Sequence, residues 1–215
     1  NNNKKMNILY LLLAAFYIAL LMLQPALPQA VTALLKAMPI LFLIVMVVKY
    51  RGQFQSRTVI TLLLALSFSA LGDVLLALDT GQLFIGGLAA FFVSHLFYII
   101  TMLPVKKYRT DVLLLYLFLA IGGFCLLYPT LNEMLIPVIF YTIVLMIMAS
   151  LTWMTDKSNG FLVLGGAVFV ISDSILALNR FYMPFSYADI VIMCSYYLAQ
   201  FCLVKGFLQA TDKSK

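Results

Sequence analysis

Two carboxylates stand out because of the company they keep. Asp73 lies in Gly72-Asp73-Val74-Leu75-Leu76-Ala77-Leu78 and Asp173 in Ser172-Asp173-Ser174-Ile175-Leu176-Ala177-Leu178, near the ends of two apolar runs 100 positions apart. A charged Asp at the bilayer centre costs at least ~2.5–3.5 kcal/mol on insertion scales, so an intramembrane carboxylate is by default a working group. Two carboxyls sharing one low-dielectric cavity do not ionise together: one keeps its proton while the other gives it up. That arrangement suits a general acid paired with a general base.

The elements that must position this pair are membrane spans. The 215 residues are 64% hydrophobic and 10% charged, against roughly 45–50% and 25% for soluble domains, so the chain reads as an integral membrane protein. Eight runs are long enough for a helical span of about 20 residues: about 8–23, 30–48, 58–78, 83–103, 111–127, 134–154, 160–178 and 187–208. The runs are continuous rather than alternating, which argues against a β-barrel. The expected fold class is therefore an all-α integral membrane protein, with 1–215 forming a single eight-helix transmembrane domain. A basic start and apolar middle also suit a signal peptide at 8–23, but the run is longer than a signal core and lacks a clear small-residue cleavage site. Pro25 and Pro28 mark a tight turn after the first span, and turns are expected at 79–82, 128–133 and 179–186.

Lys and Arg fall on one side of this topology. Lys4, Lys5, Lys49, Arg51, Arg57, Lys106, Lys107, Arg109, Lys157, Lys205, Lys213 and Lys215 share the side of the termini, leaving only Arg180 opposite and Lys36 within the second span. The bias predicts cytoplasmic termini, and no organelle signal is evident, which fits a bacterial inner membrane. The net charge of +6 is thus a topology signal rather than a nucleic-acid one. Cys125, Cys194 and Cys202 lie in apolar runs without metal-ligand spacing, so neither a metal nor a disulfide is expected, and no cofactor is called for. The repeated Asp phrase, together with a proline early in the second and sixth spans, suggests two four-helix halves related by a parallel pseudo-two-fold axis.

Depth along each span pools the polar residues. Asp73 and Asp173 each lie six residues, roughly 9 Å, from the non-cytoplasmic end of their spans. Lys36 and Tyr141 enter from that side at similar depth, with Tyr197 and Gln200 somewhat deeper. His95 is deeper again, roughly 18–20 Å from its loop. Such a pool avoids lipid and faces a wet cavity. Each member also has a plain structural reading: Lys36 as a snorkelling side chain, His95 beside Ser94 as an interhelical hydrogen-bond partner, Tyr141, Tyr196 and Tyr197 as belt or packing residues, Gln200 as helix glue. Gly86, Gly87, Gly165 and Gly166 suit close helix contact, and Pro39 and Pro137 suit kinks. Asp79, Glu133 and Asp189 read as solvated groups. With Lys36 and Arg180 near the outer surface, a phosphate-headed amphiphile would match the pool.

Several of these residues carry a resemblance. The stretches Lys36-Ala37-Met38-Pro39-Ile40, Phe68-Ser69-Ala70-Leu71-Gly72-Asp73-Val74-Leu75-Leu76, Phe84–Phe91 with Ser94-His95-Leu96-Phe97-Tyr98, Gly165–Ser174, and Tyr197 with Gln200 together resemble the lysoplasmalogenase family of YhhN-like membrane hydrolases. A departure is Ala70, where the resemblance leads one to expect a glycine. The resemblance implies an eight-helix fold, no metal, and cleavage of the vinyl ether bond of a lysoplasmalogen to a fatty aldehyde and glycerophosphoethanolamine or glycerophosphocholine. It carries the motif aspartates onto Asp73 and Asp173 as catalytic residues and the motif histidine onto His95. Lys36, Tyr141, Arg180, Tyr197, Gln200 and His95 are then expected to bind the headgroup or tune the pair, with a lysophospholipid and membrane lipids as partners. A proton-coupled transporter or flippase of a similar amphiphile is the competing reading, since half-repeats and buried carboxylates suit it too. A third is a structural or signalling membrane protein in which the Asp pair only pins helices.

Overall fold

The structure, a computed structural model, describes residues 2–78 and 81–212. Asp79 and Thr80 of the expected turn at 79–82, and Lys213 and Lys215 of the charge count, lie outside the described residues. Among those described, the regular elements are α1 (Asn2–Leu23), α2 (Gln29–Lys49), α3 (Ser56–Ala77), α4 (Leu83–Met102), α5 (Thr110–Leu131), α6 (Leu135–Met154), α7 (Gly160–Ala177) and α8 (Ala188–Asp212). Short 3-10 turns at Arg51–Gln53 and Asn132–Met134 join α2 to α3 and α5 to α6, and no strand occurs among the described residues.

Among the described residues, seven stretches are long and apolar enough to cross a membrane. One of them, Thr110–Met154, runs for 45 residues and contains both α5 and α6. At 1.5 Å per residue, the 21 residues of α2 reach roughly 32 Å, about the thickness of the hydrocarbon layer. The outward side chains agree. On α5, Leu114, Leu117, Phe118 and Ile121 are all exposed, a surface unsuited to water and suited to acyl chains. The protein is an integral membrane protein built of helices.

Two boundaries differ from the sequence expectation. The turn expected at 128–133 starts later, because α5 continues through Pro129 to Leu131. Proline removes one N–H, and two residues later the helix ends anyway, so little hydrogen bonding is lost. The Thr130 hydroxyl donates to the Leu127 carbonyl at 2.8 Å. The reversal comes at Asn132, whose φ of +47° is a conformation that asparagine tolerates better than most residues. The second difference is at 179–186, read as loop. Residues Leu178–Tyr182 instead wind one π-helical turn beyond α7, closed by Met183 N–H donating to the Leu178 carbonyl at 2.9 Å, and this turn packs on α5. The two prolines expected at matching places do not match: Pro39 is the eleventh residue of α2 and Pro137 the third of α6.

The chain divides after Phe97, within α4, into two compact units, 1–97 and 98–215. In the first, α2 packs along α3 and α1 against α2. Gln29 at the start of α2 donates its amide to the Ala77 carbonyl at the end of α3 at 3.4 Å, which fixes their antiparallel register. Between α3 and α4, the Ser94 hydroxyl donates to the Ala65 carbonyl at 2.7 Å. That uses its one proton, so Ser69, also 2.7 Å away, is left to donate to Ser94. A Cβ on Gly72 would stand 2.6 Å from the Phe91 ring, so only glycine lets α3 approach α4 here.

In the second unit, α7 is clasped by α6 and α8. A Cβ on Gly166 would meet the Ala149 Cα at 3.2 Å and the Thr152 side chain at 2.8 Å, while one on Gly165 would meet the Leu203 backbone N at 3.0 Å. Gly165, Gly166 and Gly87 therefore do the close-contact work expected of them. Gly86 does not, having only an ordinary contact with Leu75 at 3.5 Å. Asn159 caps α7, accepting from Phe161 N–H at 3.1 Å and Leu162 N–H at 3.2 Å, and its amide donates to the Gly206 carbonyl of α8 at 2.8 Å. Connections at the same end are tied together. Lys106 N–H donates to the Met154 carbonyl at 2.8 Å, and Val105 bridges to Thr155. Arg109 pairs with Asp111 through two hydrogen bonds, at 2.9 and 2.6 Å, and lies over the Trp153 ring.

Candidate active site

In the first unit the polar candidates lie on three neighbouring helices. Asp73 is four residues from the end of α3 and 1% exposed, and His95 on α4 is fully buried. Helical spacing puts Ser69 and Asp73 on one face of α3, one turn apart. The serine contact then fixes relative depth. Ser94 is level with Ser69, so His95 lies five residues' rise, ~7.5 Å, further into the membrane than Asp73. That is a smaller gap than ideal rise along separate spans suggests, although α4 does begin at Leu83 as expected. The Gln29–Ala77 contact sets Asp73 opposite Ala33, which leaves Lys36 about 4.5 Å deeper than Asp73. Lys36 is half-buried. The three groups fall within about one and a half turns of each other in depth.

In the second unit the contacts are direct. The Tyr141 hydroxyl on α6 donates to Oδ2 of Asp173 on α7 at 2.5 Å. Tyr141 is 9% exposed and Asp173 is half-buried. The neighbours of the carboxylate are occupied: Ser172 donates to the Ile192 carbonyl of α8 at 3.0 Å, and Ser174 back to the Val170 carbonyl at 2.6 Å. Sequence depth put Tyr141 and Asp173 at one level, and the bond between them bears out that placement.

A further buried network lies deeper. The Tyr98 hydroxyl, from the last part of α4, donates to Oε1 of Gln200, and the Gln200 amide reaches the Tyr196 hydroxyl at 3.4 Å. The Tyr196 ring meets Phe169 edge-on with centroids 5.8 Å apart and tilts against Tyr197 at 5.5 Å. Gln200 thus joins α4 to α8, and Tyr197, 2% exposed, belongs to the aromatic packing beside it. Arg180 sits on the exposed π turn rather than in a loop.

Two participants, Ser69 and Tyr98, stand in the motif stretches quoted from the sequence without a site role assigned to them there. Tyr98 could have been found as the residue one turn after His95 on the same helical face, and Ser69 as the residue one turn before Asp73. Among the described residues no group of three or more His, Cys, Asp or Glu side chains is gathered as a metal would need. Cys125 and Cys194 are exposed thiols and Cys202 a buried one. Chemically, the donors and acceptors within each unit are groups able to exchange protons through hydrogen bonds. In the second unit the Asp173 side chain accepts from the Tyr141 phenol, and in the first the buried Asp73 follows Gly72, where α3 and α4 approach closely.

Comparison with known proteins gives a consistent answer. The YhhN family matches residues 31–207. Similar proteins include lysoplasmalogenase TMEM86B of Sus scrofa, 32% identical over 176 residues that make up 80% of this chain and 74% of that protein. Lysoplasmalogenase TMEM86A of Homo sapiens is 30% identical over 207 residues, 86% of this chain and 81% of that protein. Lysoplasmalogenase TMEM86B of Mus musculus is 32% identical over 185 residues, 85% and 77% respectively. No solved structure matches the chain.

Proposed function

The chain belongs to the YhhN family, and we propose that it is a lysoplasmalogenase: a membrane hydrolase that cleaves the vinyl ether bond of a lysoplasmalogen. The observation that carries this is the 30–32% identity, across most of the chain, to proteins named for that activity. Its products are a fatty aldehyde and glycerophosphoethanolamine or glycerophosphocholine. Asp73 and Asp173 act on one substrate as an acid and a base.

The bond itself explains why two carboxyls suffice. A vinyl ether is electron-rich at its β-carbon. Protonation there gives an oxocarbenium ion, which water attacks as its own proton is taken by a base. The hemiacetal then falls apart to aldehyde and alcohol. No protein nucleophile is needed. The Tyr141–Asp173 bond supports the reading, because it holds one carboxylate in a fixed orientation within the membrane. Lys36, Arg180, His95, Tyr197 and Gln200 bind the phosphate-bearing headgroup or tune the pair.

The same reading takes residues 1–215 as one transmembrane domain of eight spans, α1 to α8, with α5 and α6 crossing separately. Their packing against each other across the reversal at Asn132 supports that count. The two four-helix halves are related by a pseudo-two-fold axis, and both termini lie on the cytoplasmic side of a bacterial inner membrane. The charge asymmetry of the loops supports the orientation. The test is product analysis with purified protein and lysoplasmalogen in micelles and in vesicles. Aldehyde release in both supports hydrolysis. Intact lipid transferred between leaflets without aldehyde contradicts it and marks a carrier.

A further inference from the structure

We propose that the connections from α4 to α5 and from α6 to α7 together form a docking surface for an anionic phospholipid of the adjoining leaflet. The surface lies wholly within the second unit, and the inference does not use the hydrolase reading. The first support is that the two connections are tied into one piece. Val105 bridges to Thr155, and the Met154 carbonyl accepts from both Lys106 N–H, at 2.8 Å, and Lys107 N–H, at 3.2 Å. Asp156 N–H donates back to the Pro104 carbonyl at 3.4 Å, and the Lys157 ammonium donates to the Leu103 carbonyl at 3.2 Å. A surface held this way has little backbone left to order when a ligand binds.

The second support is the charge left over. Four cations stand on or beside these connections, Lys106, Lys107, Arg109 and Lys157, against two carboxylates, Asp111 and Asp156. Each carboxylate is already taken: Asp111 by Arg109 at 2.6 Å, and Asp156 by Lys157 at 2.9 Å. Lys106 and Lys107 are exposed, and among the described residues no carboxylate pairs with either. Two neighbouring ammonium groups therefore remain to attract an anion, on a main chain anchored to the end of α6.

The third support selects a lipid over a soluble anion. Trp153, in the last turn of α6, is 38% exposed, and the Arg109 guanidinium lies over its ring at 5.4 Å. Tyr108 is exposed between the cations, and Leu103 and Phe161 expose apolar surface at the ends of the same two connections. Trp and Tyr settle at the headgroup level of a bilayer, and basic residues beside spans attract anionic headgroups there. An anionic phospholipid matches both parts at once. Its unbalanced negative charge meets Lys106 and Lys107, while its chains lie beside Trp153 and the ends of the apolar helices.

Trp153 is the chain's single tryptophan, so its fluorescence reports the lipid beside this surface. The purified chain is reconstituted in vesicles of mixed phosphatidylglycerol and phosphatidylcholine, with one lipid or the other brominated so that it quenches on contact. One to two lysines acting on the lipid charge predict relative binding roughly 5- to 30-fold in favour of phosphatidylglycerol. Lys106→Gln/Lys107→Gln should abolish that preference. Lys4→Gln/Lys5→Gln, which removes the same charge from the first unit, should leave it intact. Equal quenching by the two lipids in the unmodified protein overturns the proposal, as does a preference that survives in Lys106→Gln/Lys107→Gln. A preference lost equally in Lys4→Gln/Lys5→Gln overturns it too, since net charge alone would then explain the effect. Salt supplies a check that needs no variant: at ~1 M the screening length falls to about 3 Å, so the preference should collapse, and its persistence contradicts the proposal.

Discussion

Tyr141→Phe removes the hydroxyl that meets Asp173 at the proposed site. The ring stays, so the packing of α6 on α7 is preserved, and the only loss is the hydroxyl that donates to Asp173 Oδ2 at 2.5 Å. Hydrogen bonds to charged groups contribute roughly 1.5–3 kcal/mol. If that bond aims the Asp173 side chain during the reaction, the full amount appears in the barrier, and each 1.36 kcal/mol is tenfold in rate, so kcat should fall roughly 10- to 150-fold. Because the hydroxyl faces the carboxyl rather than a headgroup, KM should stay within about twofold. The assay is initial-rate aldehyde release from lysoplasmalogen in detergent, followed through an NAD-linked aldehyde dehydrogenase. Tyr128→Phe, at an exposed tyrosine of α5, should behave as wild type. An unchanged kcat in Tyr141→Phe would refute the reasoning. So would a raised KM at unchanged kcat, which would make Tyr141 a binding residue instead.

Four other substitutions test the packing and the buried hydrogen bonds. Gly206→Ala should destabilise by about 1–3 kcal/mol, since its Cβ would stand 2.8 Å from the Leu162 backbone N, whereas Gly123→Ala, with nothing within 4 Å, should be neutral or slightly stabilising in the same detergent melt. Gln200→Leu should cost about 1–3 kcal/mol by leaving the buried Tyr98 hydroxyl without its acceptor, read as a lower thermal midpoint. Asn159→Ala should lower stability by about 1–2 kcal/mol through loss of the α7 cap and the tie to Gly206, and faster amide exchange at Phe161 and Leu162 should accompany it.

The helices themselves were legible because a bilayer imposes a simple pattern. Apolar runs of about 20 residues separated by Pro, Gly and charge predict spans, and α2, α3, α4 and α6 begin and end within two residues of the expected points. The misses share one cause: local punctuation was overruled by context. Pro129 breaks helices in water, but near the end of α5 it removes only one hydrogen bond, and the turn waits for Asn132. Asn179, Arg180 and Pro184 read as loop, and nothing in those residue types announces the π turn that packs on α5. α1 begins at Asn2, earlier than its apolar run, because helix geometry does not require apolar residues once the chain has left the membrane.

At the candidate site, residue identity was easier to read than partnership. The repeated phrase singled out both aspartates, and depth counting put Tyr141 at about the level of both. It could not find Tyr98 as the partner of Gln200, because a tyrosine on an apolar helix carries no mark of what its hydroxyl meets. Nor could it settle the level of His95, since depth counted from helix ends ignores how neighbours slide past each other. The contact between Ser69 and Ser94, two residues with no chemistry of their own to recommend them, supplies that register.

The most direct test of the central claim uses Asp73→Asn and Asp173→Asn, each purified as folded protein and assayed for aldehyde release from lysoplasmalogen. Removing a general acid or base typically costs 10²–10⁴-fold, and losses of at least about 100-fold are expected in both variants. Turnover near wild type in either one contradicts the account.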